Sequence, residues 1–296
     1  MSVAFAPLLE RARDKGPVCA IIAGAHDSNT LAGTIEARKA GLIKPVLVGK
    51  RELIEKLASE IRADIEGVEI EDIEEEADIA HQVGGLAGER DNALVVKGLI
   101  HTDVLMRSLL SKEAGLRIGR RASHAFLIEI PNEPWLVISD AALNVEPKEE
   151  DLLDIARNAL NLAGSLGMDA RVALLSASET PFEGLPSSMR AKSISAKLAS
   201  ENPDAAIAGP YALDIAISPE AAVRKGIKGE VAGHSNVLVV PNIETGNALY
   251  KWMVWRQGAS AAGVILGLKV PVALTSRSDS PASRMGAIAL ALCASS

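Results

Sequence analysis

Short apolar runs that favour strands alternate with segments of helical periodicity along almost the whole chain. Parallel strands need a crossover connection of a dozen or more residues, and that crossover is usually a helix. The alternation therefore predicts an α/β fold with a mostly parallel sheet covered by helices. The strand-like runs are residues 18–23, 45–48, 93–96, 125–130, 135–139, 172–175, 205–208 and 237–240, and the helical segments are 30–40, 52–61, 77–86, 102–112 and 188–200.

The joint at residues 144–147 is the best candidate for a domain boundary. A chain of 296 residues is long enough for one large or two medium domains. After the joint, Pro147 and the acids Glu149, Glu150 and Asp151 are typical of a helix start, because early acidic side chains complement the helix dipole. A second series of strands and helices is therefore expected to begin there.

Charge and cysteine usage limit the function classes. The formal net charge of −7 argues against broad nucleic-acid binding, because phosphate contacts require a basic surface. The acidic block 69–76 is interpreted as a solvated face or a connection. No apolar run reaches the roughly 18 residues that span a bilayer, and no secretory pattern is evident. Cys19 and Cys293 lie in apolar segments and form no disulfide framework, so we expect a cytoplasmic protein.

A polar cluster, TSRSDS at residues 275–280, follows an apolar run and precedes a helical stretch. A strand-to-helix turn presents backbone N–H groups and the positive end of a helix dipole to anions. Arg277 adds a planar cation suited to phosphate or to a developing oxyanion. Ser276 and Asp279 add a hydroxyl and a possible proton acceptor. The alternative is that the serines and the aspartate are turn and capping residues and that Arg277 is solvated.

A second polar cluster, PNIETGN at residues 241–247, also follows a strand-like run. Ligands of open α/β sheets bind at the carboxyl ends of strands, so both clusters lie where a site is expected. Asn242, Thr245 and Asn247 offer donors near a helix start, and Gly246 permits close approach to the backbone. Helix capping is the alternative role for Asn242 or Thr245.

A third cluster follows the strand-like run 93–96. Lys97 ends this strand, His101 and Thr102 open a helix, and Arg107 lies one turn further along. Lys97 and Arg107 would suit an anionic ligand, but Asp103 and Arg107 are four residues apart, so a surface ion pair is the alternative.

Other site patterns are weak or absent in the sequence. The segment GAHDSNT at 24–30 lacks the glycines of a dinucleotide loop and is interpreted as a structural turn. The five histidines are scattered, and no H-E-x-x-H or paired-cysteine motif indicates a metal site. G-x-S-x-G is absent as well, which argues against an α/β-hydrolase.

Five motifs in order resemble those of the phosphate acetyltransferases and phosphate butyryltransferases, which exchange an acyl group between coenzyme A (CoA) and phosphate. The resemblance covers nearly the whole chain and is strongest after Ser187. The residues at these motifs are closer to those of the butyryl branch. The motifs are VKGLIHT with Arg107, SDAALNVEP at 139–147, the segment 188–218, VAGHSNVLVVPNIETGNALYK at 231–251 and LTSRSDS at 274–280.

The resemblance implies the fold of the isocitrate and isopropylmalate dehydrogenase group, with two three-layer α/β domains, mostly parallel sheets and a cleft between the domains. It implies a discontinuous first domain, residues 1–145 with 272–296, and an inserted second domain, residues 146–271. It also implies a homodimer or larger homo-oligomer. The expected ligands are CoA, acyl-CoA, phosphate and acyl phosphate, with no tightly bound cofactor, metal, nucleic acid or membrane.

The resemblance also implies roles for single residues. Ser276 and Arg277 match the family's paired serine and arginine and are expected to be catalytic. The acetyltransferases place a proposed basic aspartate seven residues after that serine, where this chain has Ser283, so Asp279 is expected to be the base. Asp214 matches an aspartate that is expected to be buried. Arg107 matches an arginine implicated in substrate binding. Together with residues of the polar clusters described above, the expected substrate-binding set is Lys97, His101, Thr102, Arg107, Asp214, Asn242, Thr245, Gly246 and Asn247.

The expected reaction is reversible transfer of an acetyl or butyryl group between CoA and phosphate, through direct attack of the CoA thiolate on the acyl phosphate. A metal- and NAD-dependent dehydrogenase on the same fold is one alternative, but it needs clustered aspartates and a nicotinamide loop that the sequence lacks. A catalytically silent acyl-CoA-binding partner is the other alternative, because of the departure at Ser283.

Overall fold

A computed structural model describes residues 4–275 and 281–295. Helices and strands alternate along the chain. In chain order they are α1 (Ala6–Lys15), β1 (Val18–Ala23), α2 (Ser28–Lys39), β2 (Ile43–Gly49), α3 (Arg51–Glu60), β3 (Glu69–Asp72), α4 (Glu76–Glu89), β4 (Ala93–Lys97), α5 (Thr102–Leu109), β5 (Ser123–Glu129), β6 (Leu136–Ser139), α6 (Glu149–Ser165), β7 (Arg171–Leu175), α7 (Pro186–Glu201), β8 (Ala206–Tyr211), α8 (Leu213–Ile217), α9 (Pro219–Arg224), β9 (Val237–Val239), α10 (Ile243–Gln257), β10 (Ser260–Leu266), β11 (Val272–Leu274) and α11 (Pro281–Ala294).

The chain divides into two compact units, Met1–Arg120 with Ala262–Ser296, and Arg121–Ala261. The predicted domain boundaries near residues 145 and 272 stay a prediction, while the compact units change over at 120/121 and 261/262. Each unit contains a run of parallel strands, so the mostly parallel α/β fold is confirmed.

In the first unit the strand order is β3-β2-β1-β4-β11-β10. The first five strands run parallel, and β10 is antiparallel to β11. The carboxyl ends of β1, β4 and β11 therefore lie side by side at one edge. Helix α11 packs against α1 and α2 in this unit, with Ile288 and Leu292 almost fully buried.

In the second unit the strand order is β5-β6-β9-β7-β8. Strands β6, β9, β7 and β8 run parallel, and β5 pairs antiparallel with β6. Ile138, Ala173 and Leu238 are buried in the core of this unit, because the middle strands are covered on both faces. The carboxyl ends of β6 and β9 are neighbours, which brings the two polar segments that follow them close together.

Two strands, β3 and β10, were not predicted from the sequence. The acidic block 69–76 begins with edge strand β3, which pairs with β2, so Glu69–Asp72 is not a connection. Glu69 and Asp72 are exposed, which agrees with the alternative of a solvated face. Its acids are held by polar partners: Arg90 binds Glu69, Gln82 binds Glu71, and the backbone N–H of Arg51 binds Asp72. Strand β10 was missed because small residues dominate its first half.

Among the described residues, no helix has both the length and the apolar character needed to cross a bilayer.

Candidate active site

Two buried residues lie at adjacent strand ends in the first unit. Lys97 ends β4 and is 7% exposed, and Thr275 follows β11 and is 5% exposed. The Thr275 Oγ1 donates a hydrogen bond to the Lys97 carbonyl oxygen over 2.8 Å. Arg284, also buried, donates from Nη1 to Thr275 Oγ1 over 3.2 Å. The ends of β4 and β11 are thus tied together at the edge where a ligand is expected.

The proposed catalytic residues Ser276, Arg277 and Asp279 lie outside the described residues, so their roles stay predictions. The elements on either side are as the sequence predicted. Strand β11 precedes the segment and α11 follows it.

The turn after β1 is shaped by close backbone contacts. Asp27 caps α2, since its Oδ2 accepts hydrogen bonds from Thr30 N at 2.8 Å and Thr30 Oγ1 at 2.7 Å. A Cβ atom added at Gly98 would lie 2.6 Å from the Gly24 carbonyl oxygen, so no larger residue fits there. Burial, followed by the charge of Lys50, lowers the pKa of His26. The segment turns the chain from β1 into α2, as the sequence predicted.

The start of α5 is held by α4. His101 is the N-cap of α5, and both its backbone N–H and its Nδ1 contact the Glu76 carboxylate, Nδ1 at 2.8 Å from Oε1. Thr102 is the first residue of α5. His101 is therefore engaged by a carboxylate of its own chain.

Arg107 lies on the exposed face of α5. Its side chain is 80% exposed, with Nη2 3.7 Å from Asp103 Oδ2. This is the surface ion pair that the spacing allowed, and such pairs stabilise a helix by well under about 1 kcal/mol. Arg107 also borders a groove of about 300 Å³ between α4 and α5, lined further by Ala77, Ala80, His81, Val104, Ser108, Ser111 and Glu113.

Asp140 directly follows β6 in the second unit and is buried. Its Oδ1 accepts from the backbone N–H groups of Ala142 and Leu143, each over 2.9 Å. Its Oδ2 accepts from the backbone N–H of His124 over 3.0 Å and from Asn144 Nδ2 over 2.6 Å. Four donors on one carboxylate fix the loop at the carboxyl end of β6.

The start of α10 rests on that loop. Asn242 is the N-cap, and its Oδ1 accepts from Thr245 N at 3.0 Å and Thr245 Oγ1 at 2.7 Å. A Cβ atom added at Gly246 would lie 2.7 Å from the Asp140 carbonyl oxygen. Asn247 Nδ2 donates to the Ala141 carbonyl oxygen over 3.3 Å. Capping therefore accounts for the contacts of Asn242 and Thr245, and the close approach at Gly246 is to the protein's own backbone.

His124 lies on β5 beside Asp140 and is fully buried. Its ring makes an edge contact with Phe126, 4.3 Å between centroids, and Phe126 stacks on Tyr250 of α10. Neither ring nitrogen has a hydrogen-bond partner within the described part of the chain. Burial lowers the pKa of His124 to about 4, so the ring is neutral at neutral pH.

Asp214 is exposed, so the expectation of a buried aspartate is wrong. Its side chain is 53% exposed, with Oδ2 3.5 Å from Lys225 Nζ. Asp214 lies on the first turn of the short helix α8, which turns Ile215 and Ala216 into the core and leaves the aspartate outside. Its predicted role in substrate binding is not tested by this position.

The structure thus brings together two sets of residues, each within one unit. Lys97, Thr275 and Arg284 meet in the first unit, and Asp140 meets the start of α10 in the second. Asp140 and Arg284 were not predicted from the sequence to have a role. An acid directly after the strand-like run 135–139 was the available signal for Asp140. Among residues 4–275 and 281–295, no cluster of three or more histidine, cysteine, aspartate or glutamate side chains could hold a metal.

Known proteins are similar to this chain over nearly its whole length. The family model described as "Phosphate acetyl/butaryl transferase" matches residues 86–292. The phosphate acetyltransferase of Rhizobium meliloti is 40% identical over 96% of this chain and 91% of its own length. The phosphate butyryltransferase of Clostridium acetobutylicum is 34% identical over 98% of each. A branched-chain phosphotransacylase from Enterococcus faecalis V583 superimposes with a TM-score of 0.82 at 31% identity, over 94% of this chain and 98% of that one.

These similarities confirm the predicted phosphate acyltransferase function and do not favour the alternative function of a dehydrogenase. The two quoted identities do not single out the butyryl branch, which stays a prediction. Since the family model matches more than half of the sequence and the quoted relatives align along almost all of it, the chain belongs to the phosphate acetyl/butyryl transferase family.

Proposed function

We propose that this transferase moves an acetyl or butyryl group reversibly between CoA and inorganic phosphate by direct attack of the CoA thiolate on the acyl phosphate. The observation that supports the site assignment is the tie between Lys97 and Thr275, because it fixes the strand end that leads directly into Ser276. Membership of the family supports the reaction.

The bond changes in this scheme balance without a covalent enzyme intermediate. Asp279 accepts the proton of the CoA thiol, whose pKa is about 8.5 by reference to cysteine. The thiolate sulfur forms a bond to the carbonyl carbon, and the bond from that carbon to the bridging phosphate oxygen breaks. Phosphate leaves with the electron pair and takes up the proton from Asp279, which returns the base to its starting form. No electrons are gained or lost overall, so the scheme requires no redox cofactor.

Positive charge stabilises the reaction in this proposal. Arg277 and the hydroxyl of Ser276 stabilise the oxyanion and the departing phosphate, because preorganised donors act strongly on charge that develops in the transition state. Lys97 adds a second cationic group at the end of β4, and it is buried, where a charge is less screened. Binding both substrates together supplies proximity.

The remaining predicted residues are proposed to bind substrate. The start of α10 carries Asn242, Thr245 and Asn247 at the positive end of a 15-residue helix, which favours an anionic group. His101, Thr102 and Arg107 at α5 form a second set, and Arg107 is exposed enough to meet a ligand phosphate. Gly246 and Asp214 complete the proposed set.

We also propose a homodimer or larger assembly in the cytoplasm. Trp252 and Trp255 of α10 are 53% and 77% exposed, and exposed tryptophans are enriched at protein interfaces. Cys19 and Cys293 are free thiols, as is usual in a reducing compartment. Light scattering of the purified protein tests the assembly, and replacement of both tryptophans by lysine is expected to lower the measured mass.

The proposed function is tested with purified protein, CoA, and acetyl, propionyl or butyryl phosphate. We expect acyl-CoA to form with the wild type and turnover to fall by about 10²–10³ in Arg277→Ala. Arg224→Ala is the matched control, since this arginine is 76% exposed and pairs only with Glu220 among the described residues. Wild-type turnover in Arg277→Ala would remove Arg277 from the mechanism, and no acyl-CoA with any of the three phosphates would overturn the function.

A further inference from the structure

Arg284 is a buried cation in α11, a helix whose other residues are uncharged. It lies three residues after the first residue of α11 and is 6% exposed. Its side chain passes close to α2, where a Cβ atom added at Gly33 would lie 3.6 Å from both its Cβ and its Cδ. Burying a guanidinium costs several kcal/mol unless its hydrogen bonds are made. Simple packing at this position would be served better by leucine or methionine.

The hydrogen bonds that link Arg284, Thr275 and Lys97 have a fixed order of donors and acceptors. Arginine can only donate, and a backbone carbonyl oxygen can only accept. The Thr275 hydroxyl lies between them, accepting from Arg284 Nη1 at 3.2 Å and donating to the Lys97 carbonyl oxygen at 2.8 Å. Its orientation is therefore fixed, and three elements, β4, β11 and α11, are joined through a single side-chain oxygen.

We propose that Arg284 is a positioning residue for the transfer reaction. It holds the side chain of Thr275, and Thr275 directly precedes Ser276 and Arg277 in the chain. The proposed role is exerted through Thr275 rather than by direct contact with a reacting atom. This inference rests on the proposed function, because it assumes that Ser276 and Arg277 act on the acyl phosphate.

The positioning role predicts that turnover falls while substrate affinity is kept. A misplacement of catalytic groups by about 1 Å can cost about 100-fold in rate. We therefore expect Arg284→Met and Thr275→Val each to lower kcat by at least about tenfold, with KM for CoA and for acyl phosphate within about twofold of wild type. Thr275→Ser keeps the hydroxyl and is expected to retain most of the turnover.

The two residues should act as one unit. If Arg284 works through Thr275, the double variant should lose little more turnover than the worse single variant, because neighbours in one hydrogen-bond network are not additive. Thr34→Val is the matched control. Thr34 is as buried as Thr275 and donates to the Thr30 carbonyl oxygen at 2.8 Å within α2, so its replacement should leave kcat unchanged.

Three results would overturn the inference: wild-type kcat in Arg284→Met, independent and fully multiplied losses in the double variant, or a loss confined to KM for acyl phosphate, which would mean direct contact with substrate. If Arg284→Met does not fold, the comparison of Thr275→Val with Thr275→Ser decides, and equal turnover in these two counts against the inference. Failure of the wild type to form acyl-CoA would instead overturn the proposed function.

Discussion

The carboxylate of Asp140 and the side-chain amide of Asn144, four residues apart after β6, are joined by a hydrogen bond of 2.6 Å. The same carboxylate binds three backbone N–H groups. The first turn of α10 packs against the backbone of Asp140 and Ala141. By fixing this loop, the Asp140 carboxylate stabilises the position of the proposed substrate-binding cluster Asn242–Asn247.

Replacing Asp140 by asparagine is expected to destabilise the protein. The amide supplies one acceptor oxygen and one NH₂ group, so at least one buried donor loses its partner, at a cost of about 1–3 kcal/mol. Urea unfolding measures the loss. Asp103→Asn is the control, since that carboxylate is 73% exposed and its replacement should change stability by less than about 0.5 kcal/mol. Equal stability of the two variants would contradict the anchoring role.

Stability should fall at mildly acidic pH because of His124. Its folded-state pKa is lowered to about 4 from 6.5 by burial, so between these values the unfolded chain binds more protons than the folded one. The His124 contribution is therefore fully present above about pH 6.5 and is lost as pH falls towards 4, with a slope of up to about 1.4 kcal/mol per pH unit. Urea unfolding from pH 4 to 7 of the wild type and of His124→Phe tests this. The same slope in both proteins would refute it.

Gly246→Ala should disrupt the start of α10. The added Cβ would lie 2.7 Å from a backbone oxygen and 2.9 Å from Ala141 Cα, so the helix must shift. We expect a loss of about 1–3 kcal/mol in stability, together with lower turnover. Gly164→Ala is the matched control in α6, where nothing lies within 4 Å of the added atom. That change should be neutral or stabilise by up to about 1 kcal/mol.

Asn242 can be tested for capping and substrate binding separately. Asn242→Ala should cost about 0.5–2 kcal/mol, because the helix loses its N-cap. Asn242→Asp keeps a capping oxygen and should restore stability, but its charge should repel an anionic substrate and leave turnover low. Full recovery of turnover in Asn242→Asp would show that Asn242 only caps the helix.

Arg107→Ala should change substrate binding and leave the fold intact. The side chain is 80% exposed and its ion pair with Asp103 is weak, so unfolding should shift by less than about 0.5 kcal/mol. If Arg107 binds a ligand phosphate, KM for CoA or for acyl phosphate should rise at low salt and less at high salt. KM values identical to wild type for both substrates would show that Arg107 does not bind substrate.

The alternation of strands and helices was readable from sequence because apolar periodicity reports which faces are buried. It failed for β3, where a sheet edge holds acids through side-chain partners, and for β10, where small residues leave no strong pattern. The polar clusters after β4 and β9 were identified because polar residues directly follow apolar strand-like runs, and their role in ligand binding stays a prediction. Asp140 and Arg284 were missed because their importance comes from partners distant in sequence, and Asp214 was misjudged because its helix has one exposed face.

The central claim is direct transfer of an acyl group between phosphate and CoA, with no acylated enzyme. Exchange of labelled inorganic phosphate into acyl phosphate tests it most directly, measured with and without CoA. The account predicts exchange when CoA is present, since acyl-CoA forms and returns its acyl group to labelled phosphate, and no exchange when CoA is omitted. Exchange without CoA would show a covalent acyl-enzyme, and no exchange with CoA would show that the chain is not an active transferase.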